Sequence, residues 1–180
     1  TIVDGVTYTY STLNSNTAIL TTVGTVKTFV FSNIGIAQGI IRSLSYRVDN
    51  DIENQKFQVS DKDADSSSLR VRVQENQGST SFDSYQQFTT LQEVGSTSQV
   101  YHLQENSSGF YQIFFGDGII GKKPVNDNIV TLDYLTTEGT ASNGATSFDL
   151  ITGFSTLTNY QTTITTINNA SGGTDAETTE

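Results

Sequence analysis

Apolar and polar residues alternate along this chain in short runs that are separated by Gly, Asn, Asp and Ser. Alternation with a period of two places apolar side chains on one face of a β-strand, so it predicts half-buried strands. Leu44, Tyr46 and Val48 follow this pattern within the segment 43–48. The segment 69–73, with the sequence Leu-Arg-Val-Arg-Val, repeats it. The alternation therefore favours a fold built from strands.

Further strands are predicted wherever such a run lies between turn residues. They are Val6–Tyr10, Ala18–Thr22, Val26–Phe31, Gln99–Leu103, Tyr111–Phe115, Ile129–Tyr134 and Gln161–Ile167. About ten short strands at this spacing predict an all-β fold, either an antiparallel β-sandwich or an open barrel, with little helix. The segment 82–91 stays open, because apolar residues at every third position favour a helix whereas residues 86–89 also suit a strand.

We expect three regions along the chain. Residues 1–48 form an N-terminal β region, which the pattern allows to be a separate small subdomain, and residues 49–168 form the main β domain. Residues 169–180 are interpreted as a linker into a further region. Within this linker Thr174 and Glu177 have the spacing of a capping box. The segment is therefore either a disordered polar tail or the start of a helix in a native protein that continues.

The charge balance and the residue types narrow the class of protein. The chain has 180 residues, a net charge of −10 and no Cys. The lack of Cys excludes disulfides, thiolate metal sites and cysteine nucleophiles. The negative charge repels phosphate backbones and anionic lipid headgroups, so we expect no nucleic-acid partner and no membrane partner.

The segment 116–121, Gly-Asp-Gly-Ile-Ile-Gly, matches the G-x-G-x-x-G pattern of nucleotide-binding loops. Such a loop requires a helix after its glycines, because the N–H groups at the start of that helix hold the phosphate. Pro124 and the turn residues 125–128 leave no place for this helix. We therefore predict a hairpin or an extended β-loop, in which Asp117 and Gly118 supply a turn with positive φ.

Asp61, Asp63 and Asp65 have the spacing of the first three ligands in a calcium-binding EF-hand loop. Ser66 and Arg72 stand where that loop requires Gly and Glu. An acidic, solvated turn is the preferred interpretation, and weak calcium binding stays an open alternative.

His102 is the single histidine, and it lies in a predicted strand between Tyr101 and Leu103. Because side chains alternate along a strand, it points away from these two neighbours. We interpret it as a strand residue and not as part of a catalytic triad, because no Gly-x-Ser-x-Gly motif accompanies it. No catalytic residue, metal ligand or cofactor is predicted, and we do not expect the chain to be an enzyme.

Several segments together resemble the signature of the baseplate J-like family, which comprises phage tail baseplate wedge proteins. They are Phe-Gly-Asp-Gly-Ile-Ile-Gly-Lys-Lys-Pro at 115–124, the strand 128–134, the segment 139–144, Asp65 leading into 69–73, and the junction 171–177. The structural signature that the resemblance singles out consists of Phe115, Gly116, Asp117, Gly118, Gly121, Asn143 and Gly144. The Asn143-Gly144 pair and the strand at Val100-Tyr101 are more similar to the T-even type of contractile-tailed phage than to the Mu type.

The resemblance implies a structural role. It implies a wedge component that assembles around the tail hub, binds other wedge and hub proteins, and forms a homo-oligomer in the full-length protein. It places the protein in the virion, at the tail baseplate, after assembly in the host cytoplasm. An alternative from a different class is a glycan-binding or adhesive β-sandwich, assisted by calcium through Asp61, Asp63 and Asp65.

Overall fold

The computed structural model describes residues 1–90, 94–151 and 160–175. The chain divides into two compact units. One unit comprises Thr1–Ile40 together with Glu138–Glu180, and the other comprises Ile41–Thr137. The sequence-based boundaries at residues 48 and 168 stay predictions.

In its described residues the discontinuous unit has six short strands, which pair as three separate two-stranded sheets. The strands are β1 (Ile2–Val3), β2 (Val6–Thr7), β3 (Tyr10–Thr12), β4 (Ile19–Val23), β5 (Val26–Val30) and β6 (Ile36–Gln38). The pairs are β1 with β2, β3 with β6, and β4 with β5, all antiparallel. A short 3-10 helix, η1, spans Gly139–Ser142.

The continuous unit, outside residues 91–93, is organised around one seven-stranded sheet in the order β7-β13-β9-β10-β11-β12-β8. Its strands are β7 (Ile40–Arg47), β8 (Phe57–Gln58), β9 (Ala64–Gln74), β10 (Asp83–Gln87), β11 (Val100–Glu105), β12 (Tyr111–Phe115) and β13 (Ile129–Thr136). The first residue of β7 lies at the boundary between the two units.

The two outer strands of this sheet meet through their side chains. Tyr46 on β7 donates a hydrogen bond from its hydroxyl to the backbone carbonyl of Gln58 on β8. The Tyr46 ring also packs edge-on against Phe57 of β8, with 5.7 Å between the ring centroids. The sheet is therefore a nearly closed barrel, which limits the length of exposed strand edge.

The barrel is lined by alternate side chains of its longest strands. Leu69, Val71 and Val73 of β9 are buried, as the alternation predicted, and they face the buried Val130 and Leu132 of β13. The remaining buried core includes Val48, Phe57, Val59, Tyr85, Tyr101, Ile113 and Tyr134. Removing these apolar side chains from water stabilises the barrel.

The all-β prediction is confirmed, and of the two expected forms the large sheet takes that of a barrel, which is nearly closed. Strand β9 pairs antiparallel with β10 and β13, and strand β12 pairs antiparallel with β11 and β8. One pair differs from the antiparallel expectation, because β10 and β11 run parallel, with Gln86 opposite Val100. The long connection between these two strands permits a parallel pairing, which a short hairpin would exclude.

The structure decides the predictions for two segments, 82–91 and 161–167. Asp83–Gln87 is a strand, so the helical alternative for 82–91 is wrong where the structure describes it; Leu91 lies outside the described residues. The strand predicted at 161–167 is also wrong, because these residues form no strand and Ile164 and Ile167 stay exposed. An alternating pattern stabilises a strand only when another strand or a core covers its apolar face.

The expected strand at 6–10 is divided into β2 and β3, with the buried Tyr8 between them. No helix within the described ranges is long and apolar enough to cross a membrane.

Candidate functional site

The predicted glycine motif forms a compact loop immediately after β12. The Asp117 carboxylate accepts hydrogen bonds from the backbone N–H groups of Ile120 and Ile119, at 3.0 and 2.8 Å. These bonds, the one from Ile120 first, lower the pKa of Asp117 below its usual value. The N–H of Gly118 closes the turn on the carbonyl of Gly121 at 3.1 Å. The loop is therefore held by its own side chain and backbone.

The three glycines of the loop are each required for a different structural reason. A Cβ on Gly116 would lie 1.9 Å from the carbonyl oxygen of Ile120, so the backbone of the loop leaves no room for a side chain. Gly121 has a φ of +87°, and a Cβ there would lie 2.8 Å from Val100. Gly118 has room for a Cβ, which would meet Lys123 at 3.9 Å, but its φ of +92° disfavours any other residue.

The loop is also fixed at its base. Phe115 packs edge-on against Tyr85 and Phe57, with centroid distances of 5.0 and 5.6 Å. On the far side of the glycines, the Lys122 ammonium pairs with the Asp83 carboxylate at 2.6 Å. A fixed base and an internally bonded turn hold Ile119 at the tip, where 75% of it is exposed.

Of the two forms expected for this segment, the structure has the extended loop and not the hairpin, because no strand follows β12 until β13 begins at Ile129. The positive φ expected at Gly118 is present. No helix follows the glycines within the described residues, and the N–H groups of Ile119 and Ile120 bind Asp117. The geometry of a phosphate-binding loop is thus not formed here.

Asn143 and Gly144, the other residues of the proposed signature, lie in the discontinuous unit. The Asn143 side chain bonds to both backbone groups of Gly173: its amide donates to the carbonyl and its oxygen accepts from the N–H, each at 3.0 Å. Gly144 has a φ of +88° and donates its N–H to the carbonyl of Ala170 at 2.8 Å. Together these bonds hold the segment 170–173 alongside the residues that follow η1.

The same junction involves an acid that the sequence assigned to a helix start. The Asp175 carboxylate accepts bonds from the backbone N–H and the hydroxyl of Thr140, both at 2.9 Å. These bonds lower the pKa of Asp175 below its usual value. Gly139 and Gly173 allow this close approach, because a Cβ on either would lie within 2.4 Å of a neighbouring oxygen. The capping box itself ends at Glu177, which lies outside the described residues.

Two of the three aspartates of the calcium hypothesis, Asp61 and Asp65, already accept hydrogen bonds through their carboxylates. The Asp61 carboxylate accepts a hydrogen bond from the Tyr134 hydroxyl. One Asp65 oxygen accepts from the backbone N–H and the hydroxyl of Ser67, at 2.9 and 2.7 Å. In the part of the chain that the structure describes, no group of three His, Cys, Asp or Glu residues is arranged to hold a metal ion.

His102 lies on the outer face of the sheet in a row of aromatic rings. Its imidazole stacks on Phe114, with centroids 4.8 Å apart and planes 14° apart, and it contacts Phe88 at 4.6 Å. The neighbouring Tyr101 is buried on the opposite face, as predicted for a strand. This row could not be predicted from the sequence, because its rings come from three separate segments of the chain.

A surface cleft of about 430 Å³ lies where β7 ends. Its polar groups bind one another: Arg47 pairs with Asp127 at 2.8 Å, and the Gln55 side-chain oxygen accepts from the N–H of Asp49. A cleft whose polar groups are already satisfied internally offers little for a polar ligand.

Comparison with known proteins adds one finding. The chain is similar to part of a phage baseplate protein. The baseplate wedge protein gp6 of Enterobacteria phage T4 is 32% identical to it over 90 residues, which is 42% of this chain. The matched segment spans only 13% of the length of the T4 protein. No family model matches the chain, and no solved structure matches it.

Proposed function

We propose that this chain is a structural, non-catalytic component of a phage tail baseplate wedge. The observation that carries the proposal is its similarity to the T4 baseplate wedge protein, at 32% identity over 90 residues. The role of Phe115, Asn143 and the other signature residues as a baseplate J-like marker is part of this proposal.

The geometry of the glycine loop supports a structural role. The Asp117 carboxylate binds Ile119 and Ile120 within the loop, and Lys122 pairs with Asp83 of the neighbouring strand β10. A loop used in this way fixes a surface shape and does not present polar groups to a substrate. The apolar tip at Ile119 is then suited to contact another protein.

We further propose that the wedge is of the T-even type, that it assembles around a tail hub, and that other wedge and hub proteins are its partners. The acidic surface supports this choice of partner, because a net charge of −10 opposes contact with nucleic acid and anionic lipid. The proposed location is the baseplate of the assembled virion.

Pairwise reconstitution tests the proposal. The chain is mixed with each tail protein encoded beside its gene, all purified separately, and association is followed by analytical ultracentrifugation. We expect a defined complex with at least one tail protein. Catalytic turnover of a phage or host substrate by the isolated chain, without any complex, would contradict the proposal.

A further inference from the structure

The β4–β5 hairpin, residues 19–30, exposes more large apolar side chains than any other short segment that the structure describes. Val23 is 75% exposed and Val26 is 64% exposed. The other exposed apolar residues of this hairpin are Ile19, Leu20, Phe29 and Val30. A contiguous exposed apolar patch on a folded protein marks an interaction surface.

Apolar side chains occupy both faces of the hairpin. The register places Ile19 opposite Val30 and Val23 opposite Val26, so these four aliphatic residues share one face. Leu20 lies opposite Phe29 on the other face, which also carries Lys27. A hairpin packed against its own protein would have one polar face and one buried face, whereas this one has two apolar faces in water.

The edges of the hairpin are open as well. β4 and β5 form a two-stranded sheet, and within the described residues no backbone hydrogen bond joins either strand to a third strand. A lone two-stranded hairpin is marginally stable in water and needs further packing. The hairpin thus lacks cover on its faces and its edges alike.

The distribution of charge indicates what covers it. From Gly5 to Ile41, Lys27 is the only charged residue. Asp4 and Lys27 cancel, so the whole net charge of −10 lies in the residues after position 41. A second copy of the chain would bring two strongly acidic bodies together and could cover only one face of each hairpin by two-fold packing. A cleft in a different protein covers both faces at once.

We propose that the β4–β5 hairpin is an arm that inserts into an apolar cleft of a different protein. A carboxylate of this partner lies opposite Lys27. The cleft buries Ile19, Val23, Val26 and Val30 on one side and Leu20 with Phe29 on the other. Lys27 is the only charged residue of the hairpin, so its attraction to this carboxylate fixes the orientation in which the hairpin enters the cleft. That the partner is another tail protein rests on the proposed function.

The test compares matched variants of the full chain. In the double variant Val23→Thr with Val26→Thr, the β-branched shape is kept and two apolar methyl groups are replaced by hydroxyls. The control, Ile151→Thr with Ile167→Thr, changes two residues that are 69% and 70% exposed elsewhere. Lys27→Glu and Lys27→Arg test the charge. Hydrogen exchange of the amides in β4 and β5 establishes that each variant keeps the hairpin.

Affinity for each separately purified tail protein is measured by titration calorimetry. We expect the Val23 and Val26 double variant to bind at least about tenfold more weakly than wild type, Lys27→Glu to bind several-fold more weakly, and Lys27→Arg and the control to be unchanged. The amides of β4 and β5 should gain protection from hydrogen exchange in the complex.

Other outcomes overturn the proposal. If the double variant binds a tail protein as tightly as wild type, the hairpin is not the binding arm, while the proposed function stands. If no tail protein binds the wild-type chain, both fail. Concentration-dependent self-association that the double variant abolishes would identify a second copy as the occupant. Sedimentation of wild type, but not of the double variant, with phosphatidylcholine–phosphatidylglycerol vesicles would identify a lipid surface instead.

Discussion

Gly116 and Gly118 show how two identical residues are required for different physical reasons. A side chain at Gly116 collides with the backbone of Ile120, whereas at Gly118 there is space but the backbone has a φ of +92°. A collision with backbone is relieved only by opening the loop, while a positive φ costs about 1–3 kcal/mol and leaves the loop closed. The sequence motif alone predicts the second requirement but not the first.

We therefore expect Gly116→Ala to destabilise the protein more than Gly118→Ala, which should lose about 1 kcal/mol. Gly95→Ala is the matched control, because its Cβ would meet nothing within 4 Å and its φ is ordinary. Urea denaturation of the three variants gives the free energies of unfolding. Equal stability of Gly116→Ala and Gly95→Ala would show that the loop is not closed as described.

Tyr85 and Tyr134 are two tyrosines whose hydroxyls have different environments. The buried Tyr85 hydroxyl has no hydrogen-bond partner among the described residues, while the Tyr134 hydroxyl donates to Asp61. Burial, with a smaller contribution from Asp83, raises the pKa of Tyr85 to about 12. Burial and then the bond to Asp61 raise the pKa of Tyr134 further above its usual value.

Because the folded state keeps these protons, their contribution to stability is complete below the unfolded pKa of about 10 and is lost as the pH rises above it. At neutral pH we expect Tyr85→Phe to be neutral or stabilising by up to about 1 kcal/mol, and Tyr134→Phe to be destabilising by about 1–2 kcal/mol. Denaturation at pH 7 and pH 11 checks both signs. Tyr85→Phe should also lose less stability between the two pH values than wild type; an equal loss would contradict the buried state of this phenol.

At the scale of elements, the sequence predicted strands well where a core covers one face. The alternating segments at 43–48 and 69–73 lie in the barrel, and their apolar residues point inward. The same pattern at 161–167 failed, because the alternation does not reveal whether another element is present to cover it. The parallel pairing of β10 with β11 was also beyond prediction, since local patterns carry no information about which strands pair.

The junction after η1 offers a test at this scale. Asn143→Ala removes both bonds to Gly173, and Asn143→Asp keeps the acceptor but loses the donor. We expect the amide of Gly173 to exchange fastest in Asn143→Ala, slower in Asn143→Asp and slowest in wild type. Hydrogen exchange followed by mass spectrometry measures this order, and unchanged protection in Asn143→Ala would show that other contacts hold the segment.

At the scale of the whole molecule, the all-β class followed from the sequence, whereas the exposed hairpin did not. The signal for the hairpin was present in the stretch from Gly5 to Ile41, which has a single charge. Periodicity identified its strands, but exposure on both faces depends on what packs against them, and only the structure shows that. The bonds that engage Asp61 and Asp65 likewise come from residues that spacing does not identify.

Those bonds lead to a prediction for calcium. Asp61 binds Tyr134 and Asp65 binds Ser67, so an ion would have to displace existing hydrogen bonds before it gained these ligands. Thermal unfolding in millimolar calcium and in chelator should therefore give the same midpoint. A midpoint raised by several degrees in calcium would favour the adhesive, calcium-assisted alternative.

Immunogold labelling of intact phage particles whose genome encodes this chain, with antibodies raised against residues 1–180, tests the central claim most directly. We expect gold particles to lie at the end of the tail farthest from the head, and disruption of the gene to yield tails without a complete baseplate. Particles that carry no label, together with complete baseplates in the absence of the gene, would contradict it.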